Sequence, residues 1–433
     1  MKKCLLFVLL AICCVAMVGA QGATQTKPAV ESQEPVTIKY AFWGSPDALG
    51  VEADIIKGFQ EKYPYITVEP VASGYADYHT KLLTMIAGGS APDVMRISSQ
   101  FFYDFLDAGG LLELTDIAKK NNFDLPSFYQ QGLEENSFNG KLYGIPWGTA
   151  PIYMLLNLKM FEDAGIPLPA YDWTWDDFES IVKKLTKGEG QNKQYGFAME
   201  IQADLYPMLP FIWANGGQFL DEARQKFMLD KPEAYQAIQR VANLYQQGYM
   251  PKETLLVATQ TESVPRWFIN NKLAMFQGTA ANILTIQNAG TPFEAWPMPS
   301  SKNSTHTTVV KSNTIGISPQ SKNLDAAWKF VSYLRGDEGE SMYMKAKRVP
   351  PSIDNVKYWN LYSDPNLYPK KIAEVTSKIF TDYGHLAPLR KGYLEMEQML
   401  APIIQNVFLG QTTAEAAMKN VAPRIQAILD RSK

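Results

Sequence analysis

The chain has 433 residues, with 41 Lys and Arg against 44 Asp and Glu, and a formal net charge of −3. That balance leaves no basic excess to neutralise nucleic-acid phosphates or an anionic lipid surface, which excludes both as main partners. The length exceeds what one hydrophobic core usually serves, so two domains are expected. The 22 Tyr, 21 Phe and 9 Trp suffice to fill those cores and leave a few rings facing a ligand.

The first twenty residues hold all the cysteine, at Cys4, Cys13 and Cys14. Lys2 and Lys3 precede an apolar run of about fifteen residues that closes on Gly19 and Ala20, the pattern of a secretory signal. The run is too short for a membrane anchor. Cleavage after Ala20 is the expected outcome, and acylation of Cys13 or Cys14 is the alternative. Bulky Ile12 and the lack of a small residue before Cys14 speak against acylation. Either way the body is exported, to the periplasm or the cell exterior, and folds without disulfides. Residues 21–35 lack aromatics and are rich in Gln, Thr, Ser, Glu and Pro, the composition of a flexible linker.

Order is expected from Val36, where Val36, Ile38, Tyr40 and Phe42 alternate with other residues as in a strand. Apolar residues at Val51, Ile55, Ile56 and Phe59 have helical spacing. A second strand follows at Ile66–Val71, a helix over 78–87 stopped by Gly88 and Gly89, a third strand at Asp93–Ile97 and a helix over 101–108. Alternating strands and helices indicate an α/β fold with a mostly parallel sheet. Ligands of such sheets sit beyond the strand C-termini. There lie Trp43 to Asp47 and Ile97 to Gln100. Asn139 and Gly140 form a tight-turn dipeptide, and Pro146 stiffens an extended exit ending in Trp147. Thr174 with Asp176 and Asp177 marks a helix start running to Leu185. Further helices are expected over 205–214, 232–247, 264–271, 324–334 and 392–408, and from Thr413 onward.

Nine short stretches occur in one order: FQEKYP at 59–64, GSAPDV at 89–94, NGKLYGIP at 139–146, NLKMFEDAGIP at 157–167, TWDDF at 174–178, NGG at 215–217, KLAM at 272–275, GIS at 316–318, and SKN at 321–323 with AAWKF at 326–330. Together, behind a signal segment, they resemble the family 1 extracellular solute-binding proteins, receptor components of bacterial ABC importers that mostly serve sugars. One departure is Leu156, where such proteins often carry Tyr before the residue matching Asn157. It reads as packing.

The resemblance implies a two-lobe periplasmic-binding-protein fold, type II-like, with hinge crossovers and a central cleft that closes on a ligand. It places the crossings near 146–152, 305–311 and 345–351. Lobe 1 is then 36–148 plus about 306–346, and lobe 2 about 149–305 plus 347–433. It further implies a carbohydrate ligand, a membrane permease as partner, a monomer, no cofactor and no catalysis.

Candidate ligand residues follow. Trp43 and Trp147 are each either ligand-facing or core. Asp47, expected in a loop, and Gln100 lie at the sheet mouth. In the maltodextrin-binding branch of the family, the stretch matching 204–206 supplies an acid and a stacking aromatic, which marks Asp204 and Tyr206. Trp213 is expected in the core. Arg390 and Tyr393 either reach the cleft or begin an ordinary amphipathic helix. No His pair has metal-ligand spacing, and neither a phosphate loop nor a serine-nucleophile elbow is present. The acidic pairs point apart along helices, whereas a glycosidase needs two carboxylates across one bond. A secreted glycan-cleaving enzyme is the rival from another class. The same receptor carrying a polyol, a glycerophosphodiester-type solute or a peptide is the rival within it.

Overall fold

The computed structural model describes residues 34–44, 46–199, 205–252, 263–301, 307–347, 349–364 and 366–432. The signal and most of the linker lie outside them. Among the described residues two principal sheets form, of six and four strands, plus a small hairpin.

β1 (Val36–Trp43) is central to the first sheet, as its alternating burial of Ile38, Tyr40 and Phe42 requires. It runs parallel to β2 (Ile66–Ser73), from Val36 opposite Ile66 to Trp43 opposite Ser73. On its other side it pairs in parallel with β3 (Val94–Ile97), whose four residues are all buried. Helices Pro46–Lys62 and Tyr75–Ala87 make the two connections. A parallel core covered on both faces explains the unbroken burial of β3.

The Asn139–Gly140 dipeptide turns a hairpin between β4 (Ser137–Phe138) and β5 (Lys141–Leu142). Asn139 has φ 50° and Gly140 φ 74°, the left-handed values that favour this pair of residues. β6 (Ile145–Pro151) then joins the first sheet, and β7 (Tyr153–Asn157) opens the second. A single residue, Ile152, separates them. The remaining strands of the second sheet are β8 (Tyr195–Ala198), β9 (Leu273–Gly278) and β10 (Phe293–Trp296), in the order β10-β7-β9-β8. Here β7 is antiparallel to both neighbours, and only β8 and β9 are parallel. The expectation of a mostly parallel sheet therefore describes the first half better than the second.

The chain returns to the first sheet through β11 (Thr308–Ile317), antiparallel to β3 and β6. At the crossing the two passages bind each other. Ile152 donates its amide to the Val309 carbonyl at 3.1 Å, and Thr308 Oγ1 donates to the Ile152 carbonyl at 2.7 Å. The β6–β11 register shifts at Ser312/Asn313, so that Thr149 faces Ser312, Trp147 faces Asn313, and Gly148 is the extra residue. Gly148 has φ 62°, and a Cβ there would lie 2.8 Å from Val349 Cγ1. Only glycine fits both constraints.

β12 (Gly384–Leu386) pairs in parallel with the first residues of β11. Segment order assigned 384–386 to the second lobe. The structure instead hydrogen-bonds it to the first sheet, because the long β11 offers a free edge where β3 ends. Around the second sheet pack helices Trp175–Leu185, Leu209–Ala214, Pro232–Gln246, Tyr393–Phe408 and Ala414–Arg431. The Thr174 cap forms as expected: Thr174 Oγ1 accepts from the Asp177 amide, and Asp177 Oδ2 accepts from the Thr174 amide. The helix expected over 205–214 begins only at Leu209. Pro207 disfavours helical geometry at Tyr206, which therefore sits in the preceding turn.

Candidate functional site

β1 ends in Trp43, and the β6 bulge aims Trp147 towards it, so the two indoles meet edge to face at 6.1 Å. Trp43 is half-buried and Trp147 buried. Tyr75, Tyr78 and His79, from the helix after β2, close around Trp43 at 5.4–5.5 Å. The indole Nε1 of Trp147 has no hydrogen-bond partner among the described residues.

Arg96 of β3 organises this cluster. Its guanidinium carbon lies 3.8 Å from the Trp147 ring centroid and 5.4 Å from that of Trp43. Nη1 donates to the Trp43 carbonyl at 3.2 Å, and Nη2 donates to the Tyr40 hydroxyl at 2.9 Å. The same nitrogen pairs with Glu52, which also accepts from the Tyr343 hydroxyl at 2.8 Å. Burial opposes the Arg96 charge, but the Glu52 carboxylate outweighs it and moves the pKa above the usual guanidinium range. The sequence signal for this role is a lone arginine in an otherwise apolar strand.

Beyond β3, Tyr75 donates to Ser98 Oγ at 3.2 Å, and the Ser98 amide donates to His79 Nε2 at 3.0 Å. That bond puts the imidazole proton on Nδ1, which is buried without a partner among the described residues. Burial pushes the His79 pKa down to about 3. Ser99 Oγ lies 3.3 Å from the hydroxyl of Tyr206. This contact joins the end of the first sheet to the turn before helix Leu209–Ala214. Lys311 of β11 holds its Nζ 4.0 Å from the Tyr206 ring centroid. Nearby, Glu135 accepts from the Ser312 amide. Burial pushes its carboxyl up to about 8, against the pull of that amide and of the Lys311 and Arg224 charges.

The structure thus brings Trp43, Trp147 and Tyr206 to one region along β11. Gln100 lies half-buried in the adjoining Ser99–Phe101 turn. Asp47, expected in a loop, belongs instead to the first turn of helix Pro46–Lys62. Asp204 falls outside the described residues. Tyr393 is buried behind Tyr206, with ring centroids 6.3 Å apart. Arg390 is half-buried and tied to backbone. Its guanidinium donates to the carbonyls of Arg224, Leu429 and Ser432, pinning the C-terminal helix. Trp213, expected in the core, is only half-buried and lines a cavity of about 550 Å³ with Gln218, Glu222, Arg224, Thr307 and His385. That cavity does not include the Trp43 and Trp147 rings. The aromatic cluster better fits the position beyond the strand ends where such sheets bind ligands. Among the described residues no His, Cys, Asp and Glu group could hold a metal.

The sequence profile of the bacterial extracellular solute-binding proteins matches residues 54–369. An uncharacterized lipoprotein of Streptomyces antibioticus is 27% identical over 195 residues, 44% of this chain and 42% of that protein. The multiple sugar-binding protein of Streptococcus mutans is 23% identical over 365 residues, 81% of this chain and 83% of that one. An ABC substrate-binding protein of Listeria monocytogenes, solved with cycloalternan, superposes with a TM-score of 0.82 at 24% identity, covering 92% of this chain and 100% of that one. The superposition shows the two-lobe periplasmic-binding-protein fold.

Proposed function

The chain belongs to the bacterial extracellular solute-binding proteins, and we propose that it captures a neutral carbohydrate between its lobes and delivers it to the permease of an ABC importer. The observation that carries the reading is the convergence of Trp43, Trp147 and Tyr206 along β11, where the passages between the sheets bind each other. Sugar faces present C–H groups that lie against such rings, while the rim hydroxyls need donors and acceptors. Trp147 Nε1, Ser99 Oγ and the Tyr206 hydroxyl are polar groups beside those rings. The relative named for sugars supports the same cargo.

Affinity near micromolar corresponds to about −8 kcal/mol. A few hydrogen bonds at roughly 1 kcal/mol each and apolar burial at about 25 cal/mol/Å² reach it after association costs. Of the cations that would favour a glycerophosphodiester, Arg96 is paired with Glu52, and Lys311 lies over the Tyr206 ring and near Glu135. The family is one of binding proteins, so binding without turnover is the reading. Residues 1–20 export the chain, and the lipoprotein relative supports acylation at Cys13 or Cys14 as an alternative to release. The protein acts as a monomer without cofactor.

Thermal-shift screening of neutral sugars, polyols, glycerophosphodiesters and peptides tests the cargo, because a ligand of the folded state raises Tm by mass action. Stabilisation by neutral saccharides alone is expected. Stabilisation only by a glycerophosphodiester or peptide would replace the reading, and new reducing ends from incubated oligosaccharide would show an enzyme.

A further inference from the structure

Helix Phe102–Asp107 belongs to the first-sheet half. It follows β3, and its Phe102 and Phe105 are buried with Ala41, Met95 and Ile97. Helix Tyr393–Phe408 belongs to the second-sheet half, its Tyr393 and Met396 buried with Met154, Leu156 and Met275. The ends of these two helices meet: Lys391 Nζ lies 3.0 Å from Asp107 Oδ2. In the same helix as Asp107, the half-buried Tyr103 packs against both cores, and its hydroxyl accepts from Arg224 of the second half.

The two facing edges have opposite sign. Asp104 and Asp107 stand one turn apart at the C-terminal end of their helix, where the free carbonyls and the neighbouring carboxylate both disfavour negative charge. Burial, reinforced by Asp107, pushes the Asp104 carboxyl up to about 6. Asp107 is therefore relieved by a cation from outside its own helix, and Lys391 supplies it. The other cations on that edge are Arg224 and Arg390. Glu135 acts on Arg224, and Asp221 and Asp430 act on Arg390. Both members of the pair sit on fixed backbone. Arg390, beside Lys391, donates to the Leu429 and Ser432 carbonyls, and its own carbonyl accepts from the Tyr393 amide at 3.0 Å. After Asp107 the Gly109 amide donates to Leu106 and the Gly110 amide to Phe105, closing the helix end. The pair therefore gives up less backbone freedom than one between two loose loops.

We propose that Asp107 and Lys391 are an electrostatic latch between the two halves, so that the affinity for an uncharged ligand falls with ionic strength although the ligand carries no charge. The inference rests on the reading that the ligand is captured between the halves. The latch is made by protein groups alone, so it acts on the ligand-free chain as well.

Small-angle scattering of the ligand-free full chain tests it, at about 0.01 M and about 1 M salt, where charges are screened beyond about 30 and 3 Å. The two side chains are 53% and 40% exposed, so exchanging their charges opens no core. Asp107→Lys places like charges opposite each other and should enlarge the radius of gyration at low salt. Asp107→Lys/Lys391→Asp should restore the compact value, and high salt should bring all three profiles together. A double variant as expanded as the single one, or three identical profiles at low salt, would overturn the latch. Calorimetric titration with neutral gluco-, xylo- and arabino-oligosaccharides gives the second readout. Asp107→Asn should bind about two- to fivefold more weakly than the unmodified protein at low salt and equally at high salt. An affinity in the unmodified protein that does not change with salt would also overturn it. If no saccharide binds, the carbohydrate reading falls, and the scattering still decides the latch.

Discussion

Arg96 is a buried cation facing two tryptophans, and its substitution separates positioning from binding. Arg96→Met leaves Glu52 buried without its partner, which costs about 3–5 kcal/mol of stability. Arg96→Met with Glu52→Leu removes both charges and should recover much of that loss. Urea unfolding measures it, and equal destabilisation of single and double variants would remove the pairing argument. If Arg96 also holds Trp147, the double variant should still bind carbohydrate more weakly although its fold has recovered. Trp147→Ala and Tyr206→Ala each remove a buried ring, so each should cost about 3–5 kcal/mol of stability. Each should also weaken binding about tenfold, since a large side chain contributes roughly 1.5–3 kcal/mol on burial. Normal affinity in still-folded variants would make both rings core only. The sequence marked these rings because each stands next to a recognisable boundary, a strand end, a proline or a family stretch. Arg96 carried no such marker, since its meaning depends on Glu52, 44 residues earlier, and Tyr343, 247 residues later.

At the level of elements, the β6 bulge and β11 decide how the site is held. Gly148→Ala combines a left-handed φ with a close approach to Val349, and should destabilise the fold by about 1–3 kcal/mol. Denaturant unfolding would show it, and an unchanged midpoint would remove glycine's special role there. Behind β11, burial pushes the Glu135 carboxyl up to about 8 from its ordinary 4.5. The folded state then binds more protons between these values, so Glu135 makes stability fall as pH rises from 4.5 to 8. His79, at about 3 against 6.5, acts in the opposite sense. There the unfolded state binds more protons, and stability falls as pH drops from 6.5 to 3. Between 4.5 and 6.5 these two slopes oppose each other, and Asp104, pushed up to about 6 by burial, adds a decline as pH rises towards that value; above 6.5 the Glu135 slope is no longer opposed by His79. Glu135→Gln should abolish the alkaline decline, read as Tm against pH, and persistence of the decline would assign it to another group. Local signals announced the β4–β5 turn and the Thr174 cap, which depend on neighbours in the chain. They missed the bulge, which exists only because Ser312 and Asn313 lie opposite.

For the whole molecule, ligand-driven closure requires better contacts in the closed than in the open form. Small-angle scattering should show a smaller radius of gyration with saturating carbohydrate, and an identical profile would argue against hinge closure. A chain lacking residues 21–35 should bind as the longer one does, because that segment's composition gives it no apolar surface to add to a site. Loss of binding in a folded truncation would make it part of the site. By itself the sequence determined the strand–helix alternation around Val36–Ile97, the Thr174 helix cap and the ordered stretches that identify the family, because these are properties of neighbouring residues or of their order. Tertiary structure alone decided that β12 joins the first sheet, that Arg390 pins the C-terminal helix, that Ser99 meets Tyr206 across 107 residues, and that Trp213 and His385 share a cavity. Each of these depends on which strand edge is free and which helix packs beside it, and local periodicity leaves that choice open.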